Sequence, residues 1–276
     1  MLHVTGSWFT LTLNIYASLS ATAGVMMDPI IRVEALTKQF GHVAAVKAVT
    51  FSVQAGEVLG VLGPNGAGKT TMVHLLTGLL RPTQGTAHIA GIDLSQIRLV
   101  KQQIGLMPEI SNLYEELSVW RNLVFVAQLY GVPRGERGHR IRAILHQVDL
   151  EDRRDMLFRR LSKGLQRRVV LAAALIHQPS ILILDEPTVG LDVLSRRLLH
   201  QMIRSLHEAG TTILLMTHFI EEAETLCNRV LILNRGQQVA LATPAELCQQ
   251  TGASNLEDAF VTITGLPIES MLQEKG

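Results

Sequence analysis

The stretch that most constrains this chain is glycine-rich and lies between two apolar segments. It reads Gly63-Pro64-Asn65-Gly66-Ala67-Gly68-Lys69-Thr70-Thr71 and matches the pattern GxxxxGK(S/T). Residues 57–62 before it have the character of a buried strand, and apolar residues recur at helical spacing over 72–79. A strand, a glycine-rich turn and a helix in this order are typical of a phosphate-binding loop, which we favour over an ordinary glycine turn.

The residue types in this stretch suit the phosphates of a nucleoside triphosphate. Glycines let backbone N–H groups approach the phosphate oxygens, and the helix N-terminus adds a partial positive charge. Lys69 is expected to reach the β- and γ-phosphates, and the Thr70 hydroxyl is expected to bind Mg²⁺. We therefore predict that residues 63–71 bind a nucleoside triphosphate.

Composition agrees with an α/β protein that has no nucleic-acid partner. The 276 residues are 47% hydrophobic, enough for one large domain or a domain with a small appendage. Lys and Arg number 25 against 24 Asp and Glu, so no basic excess favours DNA or RNA binding. The two cysteines, Cys227 and Cys248, have no metal-binding spacing, which favours a reducing compartment.

The first 27 residues differ from the rest because they contain no Lys, Arg, Asp or Glu. Polar residues interrupt the apolar ones, and no basic segment precedes them, so the stretch is a poor signal peptide. Met26 and Met27 stand just before the first strand-like run, 30–36. We expect residues 1–27 to be a non-native or disordered extension, with a lipid-contacting arm as the alternative.

A second candidate site follows the apolar run Ile181-Leu182-Ile183-Leu184. Such a continuous run predicts a parallel strand buried on both faces. It ends in Asp185 and Glu186, and two carboxylates at a buried strand end are costly unless a cation faces them. We expect Asp185 to bind Mg²⁺ and Glu186 to accept a proton from water, with an acidic turn as the alternative.

Three further residues are candidates on weaker grounds. His218 follows another apolar strand, 211–216, so it is expected near the γ-phosphate, although such histidines are usually structural. Phe40 precedes a glycine in a polar turn, where its ring could stack on a base or simply pack. Ser162 is a suitable N-cap for the helix that follows it.

The remaining pattern predicts the other elements of the fold. Residues 30–62 are rich in strand signals, and 118–147 have helical periodicity. A hairpin is expected over 230–241, and a helix is expected to begin at Thr243. One more helix is predicted after residues 185–188 and closed by Gly210, with its inner face formed by Leu194, Leu198, Met202 and Leu206.

The order of these motifs over residues 28–265 resembles the nucleotide-binding subunit of ABC transporters. Residues 63–70 resemble the Walker A loop, and residues 181–186 resemble Walker B with its catalytic glutamate. The other matching motifs are the LSGGQ signature (161–166), the D-loop (189–192), the switch histidine (His218) and the adenine-stacking aromatic (Phe40). Two departures from the family pattern matter: Lys163 replaces the first signature glycine, and Glu109 stands where most members have the Q-loop glutamine.

This resemblance implies an α/β fold of the P-loop NTPase class, an ABC cassette. Its RecA-like core would carry an antiparallel β subdomain and an inserted α-helical subdomain at about 110–165. The ATP-binding domain would cover 28–242, and 243–276 would form a C-terminal helical tail. The segment 256–260 of that tail resembles the drug- and antibiotic-export branch, whose permeases are separate chains.

The resemblance also implies an ATPase that powers transport from the cytoplasmic face of the membrane. In a homodimer or a pair of such subunits, Ser162 and Gly164 would contact ATP held on the partner's residues 63–71. The implied catalytic residues are Lys69, Glu186 and His218. Asp192 would line the nucleotide site, and Mg²⁺ would be bound by Thr70, Asp185 and Glu109. A non-transport ABC ATPase of DNA repair or translation and a metabolic P-loop kinase are the alternatives.

Overall fold

The computed structural model describes residues 28–267 and Met271. The expected extension 1–27 and much of the end of the predicted tail lie outside these residues. Within them the chain forms two β-sheets, and helices cover the second face of the larger sheet.

The larger sheet has the strand order β10-β9-β3-β8-β7-β6. All neighbouring pairs are parallel except β9 and β10, which form the predicted antiparallel hairpin. Every residue of β3, β7 and β8 is buried because both faces of this sheet are covered. The strands are β3 (Val58–Leu62), β6 (Ile104–Met107), β7 (Ile181–Asp185), β8 (Thr212–Thr217), β9 (Arg229–Asn234) and β10 (Gln237–Ala242).

A smaller antiparallel sheet has the order β2-β1-β4-β5 and packs on one face of the larger sheet together with α1 (Lys69–Leu76). The alternation of buried and exposed residues at the start of β1 indicates a strand with one covered face. These strands are β1 (Ile31–Phe40), β2 (Val43–Val53), β4 (Gln84–Ile89) and β5 (Ile92–Asp93).

Helices cover the opposite face of the larger sheet. A second apolar core joins α3, α4, α5 and α6 to Val58, Leu182 and Leu215 of the strands. The helix α2, which the sequence did not predict, leads directly into β6. These helices are α2 (Ile97–Gln103), α3 (Val119–Leu129), α4 (Arg134–Gln147), α5 (Lys163–Leu175), α6 (Val193–Glu208) and α7 (Ile220–Leu226).

The inner face of α6 differs from the prediction. Leu199, Ile203 and Leu206 are its buried residues, whereas Leu194 is 67% exposed. The prediction for Leu194 is wrong because α6 begins at the surface, and its first turn precedes the part that packs on the core. Periodicity identifies which residues share a stripe but not where along the helix burial begins.

The chain after β10 is helical. α8 (Pro244–Thr251) begins as predicted at Thr243, whose hydroxyl and the Glu246 carboxylate form a reciprocal capping box. α9 (Leu256–Thr264) buries Leu256, Ala259 and Phe260 in a third apolar core. Over the described part of the chain, every helix is too short or too polar to cross a lipid bilayer.

Candidate functional site

The glycine-rich loop connects β3 to α1, as its sequence predicts. Gly68 precedes the helix with φ of 109°, and Gly66 has φ of 79°, a region that residues with a Cβ rarely adopt. A Cβ on Gly68 would also overlap the carbonyl oxygen of Ala45 in β2. Glycine is therefore required here both for backbone conformation and for the close approach of β2.

Lys69, Glu186 and His218 meet at one edge of the larger sheet. The Lys69 ammonium donates to the carbonyl oxygen of Gly63 at 2.7 Å and lies 3.1 Å from Oε1 of Glu186. Oε2 of Glu186 lies 2.8 Å from Nδ1 of His218. The three residues follow β3, β7 and β8, which are neighbouring parallel strands, so their carboxyl ends bring these side chains together.

Glu186 has an uncommon backbone as well as a shifted pKa. Its φ is 47°, a left-handed value that is unfavourable for a residue with a long side chain. Burial raises the pKa of this carboxyl, but the hydrogen bond from His218 and the charge of Lys69 outweigh burial, and the pKa lies below its ordinary value. Glu186 is therefore ionised at neutral pH and available as a proton acceptor.

Within the described part of the chain, Asp185 is a buried carboxylate with one unpaired oxygen atom. It is 3% exposed, and among the described residues its Oδ1 has no hydrogen-bond donor. Burial first, and then the charges of Glu186 and Glu109, raise the pKa of Asp185 to about 6. A cation at Oδ1 would remove this cost, so the residues present fit the predicted divalent metal.

The other predicted residues surround this edge. Thr70 and Thr71 are in the first turn of α1, and Glu109 is exposed just after β6. Phe40 is 47% exposed, which excludes core packing for its ring, and Lys38 Nζ lies 5.1 Å from the ring centroid. Its hairpin reaches the phosphate loop, since Ala45 lies against Gly68.

The signature and D-loop residues begin two helices that contact each other. Ser162 is the exposed N-cap of α5, as predicted, and its Oγ accepts from the backbone N–H of Leu165. Asp192 caps α6 in the same way and accepts from both the N–H and the hydroxyl of Ser195. These hydrogen bonds lower the pKa of Asp192. Gly164 is buried, and a Cβ there would overlap the Ser195 side chain.

Two charged residues near Glu186 were not singled out from the sequence. Arg167 is 8% exposed and Glu222 is 1% exposed, and both hold the segment that follows β7. Helical spacing in the sequence could have indicated their burial, because each lies on the buried face of its helix. Arg167 is three positions after Gly164, and Glu222 is four before Leu226, both of which are buried.

Comparison with known proteins identifies the family. The sequence profile of the ABC transporter family matches residues 46–189. A Nod factor export ATP-binding protein I from Ralstonia nicotianae is 38% identical over 225 residues, which cover 81% of this chain and 70% of that protein. The chain belongs to the ABC transporter family. The linearmycin resistance ATP-binding protein LnrL of Bacillus subtilis is 35% identical over 86% of this chain and 76% of its own length.

Solved structures agree with this assignment. An ATP-binding subunit of an ABC transporter superposes with a TM-score of 0.77 at 31% identity, covering 85% of this chain and 99% of its own. The ATP-binding cassette MJ0796, a dimer in a post-hydrolysis state with ADP and Pi, superposes with a TM-score of 0.70 at 27% identity, covering 77% and 98%. The predicted ABC cassette fold is confirmed, and the chain is an ATP-hydrolysing transporter component rather than a DNA-repair or translation ATPase.

Proposed function

We propose that two copies of this chain, or one copy and a paired subunit, hydrolyse Mg²⁺-ATP at the cytoplasmic face of the membrane to power export through a separate permease. The observation that carries the proposal is the meeting of Lys69, Glu186 and His218 beside the phosphate loop. The direction rests on relatives, since proteins named for Nod factor export and linearmycin resistance align with most of the chain.

Within one protomer, ATP would replace Glu186 as the partner of the Lys69 ammonium. The Lys69 ammonium is bound to Glu186 and to two loop carbonyls, and phosphate oxygens compete for the same ammonium. Once Lys69 neutralises phosphate charge, Glu186 is free to accept a proton from the attacking water. The Nδ1–H of His218, which donates to the Glu186 carboxylate in this structure, can then donate instead toward the developing charge on the γ-phosphate.

Mg²⁺ is assigned to the edge formed by Thr70, Asp185 and Glu109. The orphaned Oδ1 of Asp185 supports this assignment, and so does the mutual repulsion of Asp185, Glu186 and Glu109. Magnesium binds hydroxyl and carboxylate oxygens and keeps several waters, so few protein ligands are needed. When bound, the ion neutralises charge on the β- and γ-phosphate oxygens.

A second copy is assigned to the surface around Ser162 and Asp192. Next to these residues, Val193 and Leu194 are 76% and 67% exposed, which leaves an apolar pair uncovered at the start of α6. The dimeric cassette with ADP and Pi that superposes on this chain supports this pairing. ATP between Ser162 of one copy and the phosphate loop of the other would make the dimer depend on nucleotide.

The permease is assigned to an exposed apolar surface of the helical segment, formed by Ile110, Tyr114, Phe125 and Leu129. Ile110 is 82% exposed and Leu129 is 72% exposed, and the rings of Tyr114 and Phe125 meet edge to face at 5.1 Å. Ile110 directly follows Glu109, so a partner docked on this surface would sense the nucleotide edge. Exposed apolar groups of this kind suit an amphipathic helix of the partner.

The test uses the purified chain and its Glu186→Gln variant. We expect Mg²⁺-dependent ATPase activity in the wild type, and ATP-dependent dimers of the variant in size-exclusion chromatography. If a hydrophobic protein with several candidate membrane spans is encoded beside this chain, co-expression with it should give a membrane complex whose ATPase responds to Ile110→Asp but not to Val239→Asp, an exposed control on β10. A monomer under all nucleotide conditions would contradict the dimer, and equal effects of the two Asp variants would contradict the docking surface.

A further inference from the structure

The guanidinium of Arg167 is buried where three functional segments meet. Arg167 lies in α5, five positions after Ser162, and is 8% exposed. Its Nε donates to the carbonyl oxygen of Pro187 at 2.8 Å, and its Nη2 donates to that of Glu186 at 2.6 Å. Its Nη1 donates to the carbonyl oxygens of Pro108 and Glu109 at 2.7 and 2.8 Å. Four of the five N–H groups of a guanidinium are thus used.

These carbonyls belong to two loops that leave neighbouring strands. Pro108 and Glu109 follow β6, whereas Glu186 and Pro187 follow β7, and β6 pairs with β7 in register. The strand ladder ends with Met107 opposite Leu184, so the loops beyond that pair have no ladder bond between them. Arg167, which lies on α5, instead connects the two loops by hydrogen bonds to both of them.

The role of this contact is geometric rather than that of an ion pair. Over the described residues, no carboxylate oxygen lies within ion-pair distance of Arg167, although Asp185, Glu109, Glu186 and Glu222 are near enough to act on its charge. Buried arginines more often bind carboxylates with their planar fork. Here the fork is directed at backbone oxygens, so it fixes the path of the chain.

Glu186 has the backbone conformation that these contacts must hold. Its left-handed φ of 47° persists only if neighbouring contacts hold it. Its N–H donates to Met216 of β8 at 2.9 Å, and its carbonyl oxygen accepts from Arg167. The peptide groups on both sides of Glu186 are therefore held. The bond from Arg167 comes from a side chain, whereas the bond to Met216 is between backbone groups.

We propose that Arg167 is a positioning residue that holds Glu186 in its left-handed conformation and ties it to the Glu109 loop. The proposal rests on the proposed role of Glu186 as proton acceptor. A movement of the Glu109 loop then changes the Glu186 backbone through one guanidinium, without passing through the nucleotide. Lysine cannot replace arginine, because one ammonium cannot reach carbonyls of both loops with the same planar geometry.

The first experiment measures ATP hydrolysis by Arg167→Ala and Arg167→Lys. We expect kcat to fall on the order of 10- to 100-fold in both, with KM for ATP changed less than about 3-fold, as for a misplaced catalytic group. The matched control is Arg168→Ala, since Arg168 is the next residue and its ion-pair partner at 3.4 Å is the exposed Asp149 rather than either loop. Binding stoichiometry for a fluorescent ATP analogue, measured on each variant, gives the folded fraction by which kcat is divided.

Chemical rescue separates positioning from general loss of structure. Guanidinium ion at tens of millimolar is expected to restore kcat of Arg167→Ala about 5- to 10-fold, since it can occupy the same four carbonyls. It should not affect Arg168→Ala, and ammonium should not replace it. The proposal would be overturned if guanidinium gave no rescue and Arg167→Lys had the kcat of the wild type. The second result is decisive even if Arg167→Ala does not fold.

A double-mutant cycle separates this proposal from the proposed role of Glu186. If Glu186 is the proton acceptor, Glu186→Gln alone removes most of kcat, and adding Arg167→Lys lowers the residual rate little further. A full additional loss in the double variant would overturn the positioning role while leaving the role of Glu186 intact. Wild-type hydrolysis by Glu186→Gln would instead contradict the role of Glu186.

Hydrogen exchange tests the tie to the Glu109 loop. In the Glu186→Gln background, ATP should protect peptides around residues 107–111 and 184–188 together. With Arg167→Lys added, we expect protection of 184–188 to become independent of 107–111, whereas Arg168→Ala should leave both protected. Joint protection of both peptides in the Arg167→Lys variant would show that the tie does not depend on the guanidinium.

Discussion

Two buried charges flank the segment that follows β7, and the chain satisfies them in different ways. Arg167 of α5 is a cation held by backbone carbonyls of two loops. Glu222 of α7 is an anion held by side chains: its carboxylate accepts from the hydroxyls of Thr188 and Thr217 and lies 3.0 Å from Nε2 of His200. Between them, Arg167 holds Glu186 and Pro187, and Glu222 holds Thr188.

The difference shows which site depends on residue identity. Every residue has a carbonyl oxygen, so the Arg167 site depends on the path of the loops and tolerates changes in their side chains. The Glu222 site requires hydroxyls at positions 188 and 217 and an imidazole at 200, and each loss leaves part of a buried carboxylate unpaired. Thr217 precedes His218 directly, so Glu222 also holds the end of β8 next to His218.

The largest expected effect comes from removing the Glu186 carboxylate, which stands at the start of the segment that the two charges flank. Glu186→Gln should lower kcat by about 10² to 10⁴, the usual range for loss of a general base. ATP affinity should not fall, because the variant also loses the ion pair that competes with phosphate for Lys69. Single-turnover hydrolysis and equilibrium binding give the two values. A loss of binding larger than the loss of turnover would contradict this assignment.

Asp185 gives a second buried carboxylate to compare with Glu222, since it does not have the three donors that contact Glu222. In the absence of nucleotide and metal, Asp185→Asn should raise the free energy of unfolding at pH 7.5 by up to about 3 kcal/mol, the equivalent of its pKa shift. The folded pKa of about 6 lies above the ordinary 3.8, so the folded state binds more protons between these values. Wild-type stability is therefore lost as pH rises from about 4 to 6.

The gain in Asp185→Asn should follow the same window. Urea denaturation is expected to show little difference between variant and wild type near pH 4, an increasing difference up to pH 6, and a constant one above it. Addition of Mg²⁺ and a non-hydrolysable ATP analogue should reverse the order of stability, since only the carboxylate offers the ion a charged ligand. An equal gain at every pH would indicate a packing effect instead.

Glu222→Gln is expected to act in the opposite direction. The amide offers one acceptor oxygen to three donors, so the free energy of unfolding should fall by about 2 kcal/mol, with kcat reduced several-fold. The matched control is Glu221→Gln, because Glu221 is the preceding residue on α7 and is exposed. A fall in stability equal to that of the control would show that the buried carboxylate contributes nothing beyond helix electrostatics.

The smallest effect is expected at a single donor of the Glu222 site. His200→Ala removes one of three partners and leaves the two hydroxyls, so the loss should be about 1 kcal/mol. The double variant with Glu222→Gln should lose less stability than the sum of the two single losses, because both substitutions remove the same contact. Full additivity in thermal or urea unfolding would show that the hydrogen bond seen here is not energetically significant.

Local sequence signals predicted which side chains meet at this edge of the larger sheet. The glycine-rich loop, the apolar run before Asp185 and the strand before His218 each placed a functional group at the end of a buried strand. Because parallel strands end at the same edge of a sheet, the predicted residues Lys69, Glu186 and His218 meet without further information. The caps at Ser162 and Thr243 were predictable for the same reason, since a cap is a local hydrogen bond.

Predictions that depended on packing were less successful. The stripe of α6 was predicted to bury Leu194, but the depth of burial along a helix depends on what lies against each turn. The helix α2 was missed because it has only seven residues and one buried side chain, Val100, so its periodicity is weak.

The sequence by itself determined which functional side chains meet at one edge of the larger sheet, because that information lies in short motifs and in strands that end at a common edge. Only the tertiary structure decided what supports them. Arg167 reaches carbonyls 58 and 59 positions away along the chain, and Glu222 reaches a threonine 34 positions away. A backbone carbonyl has no residue type, so no pattern in a sequence can indicate it as the partner of a buried arginine.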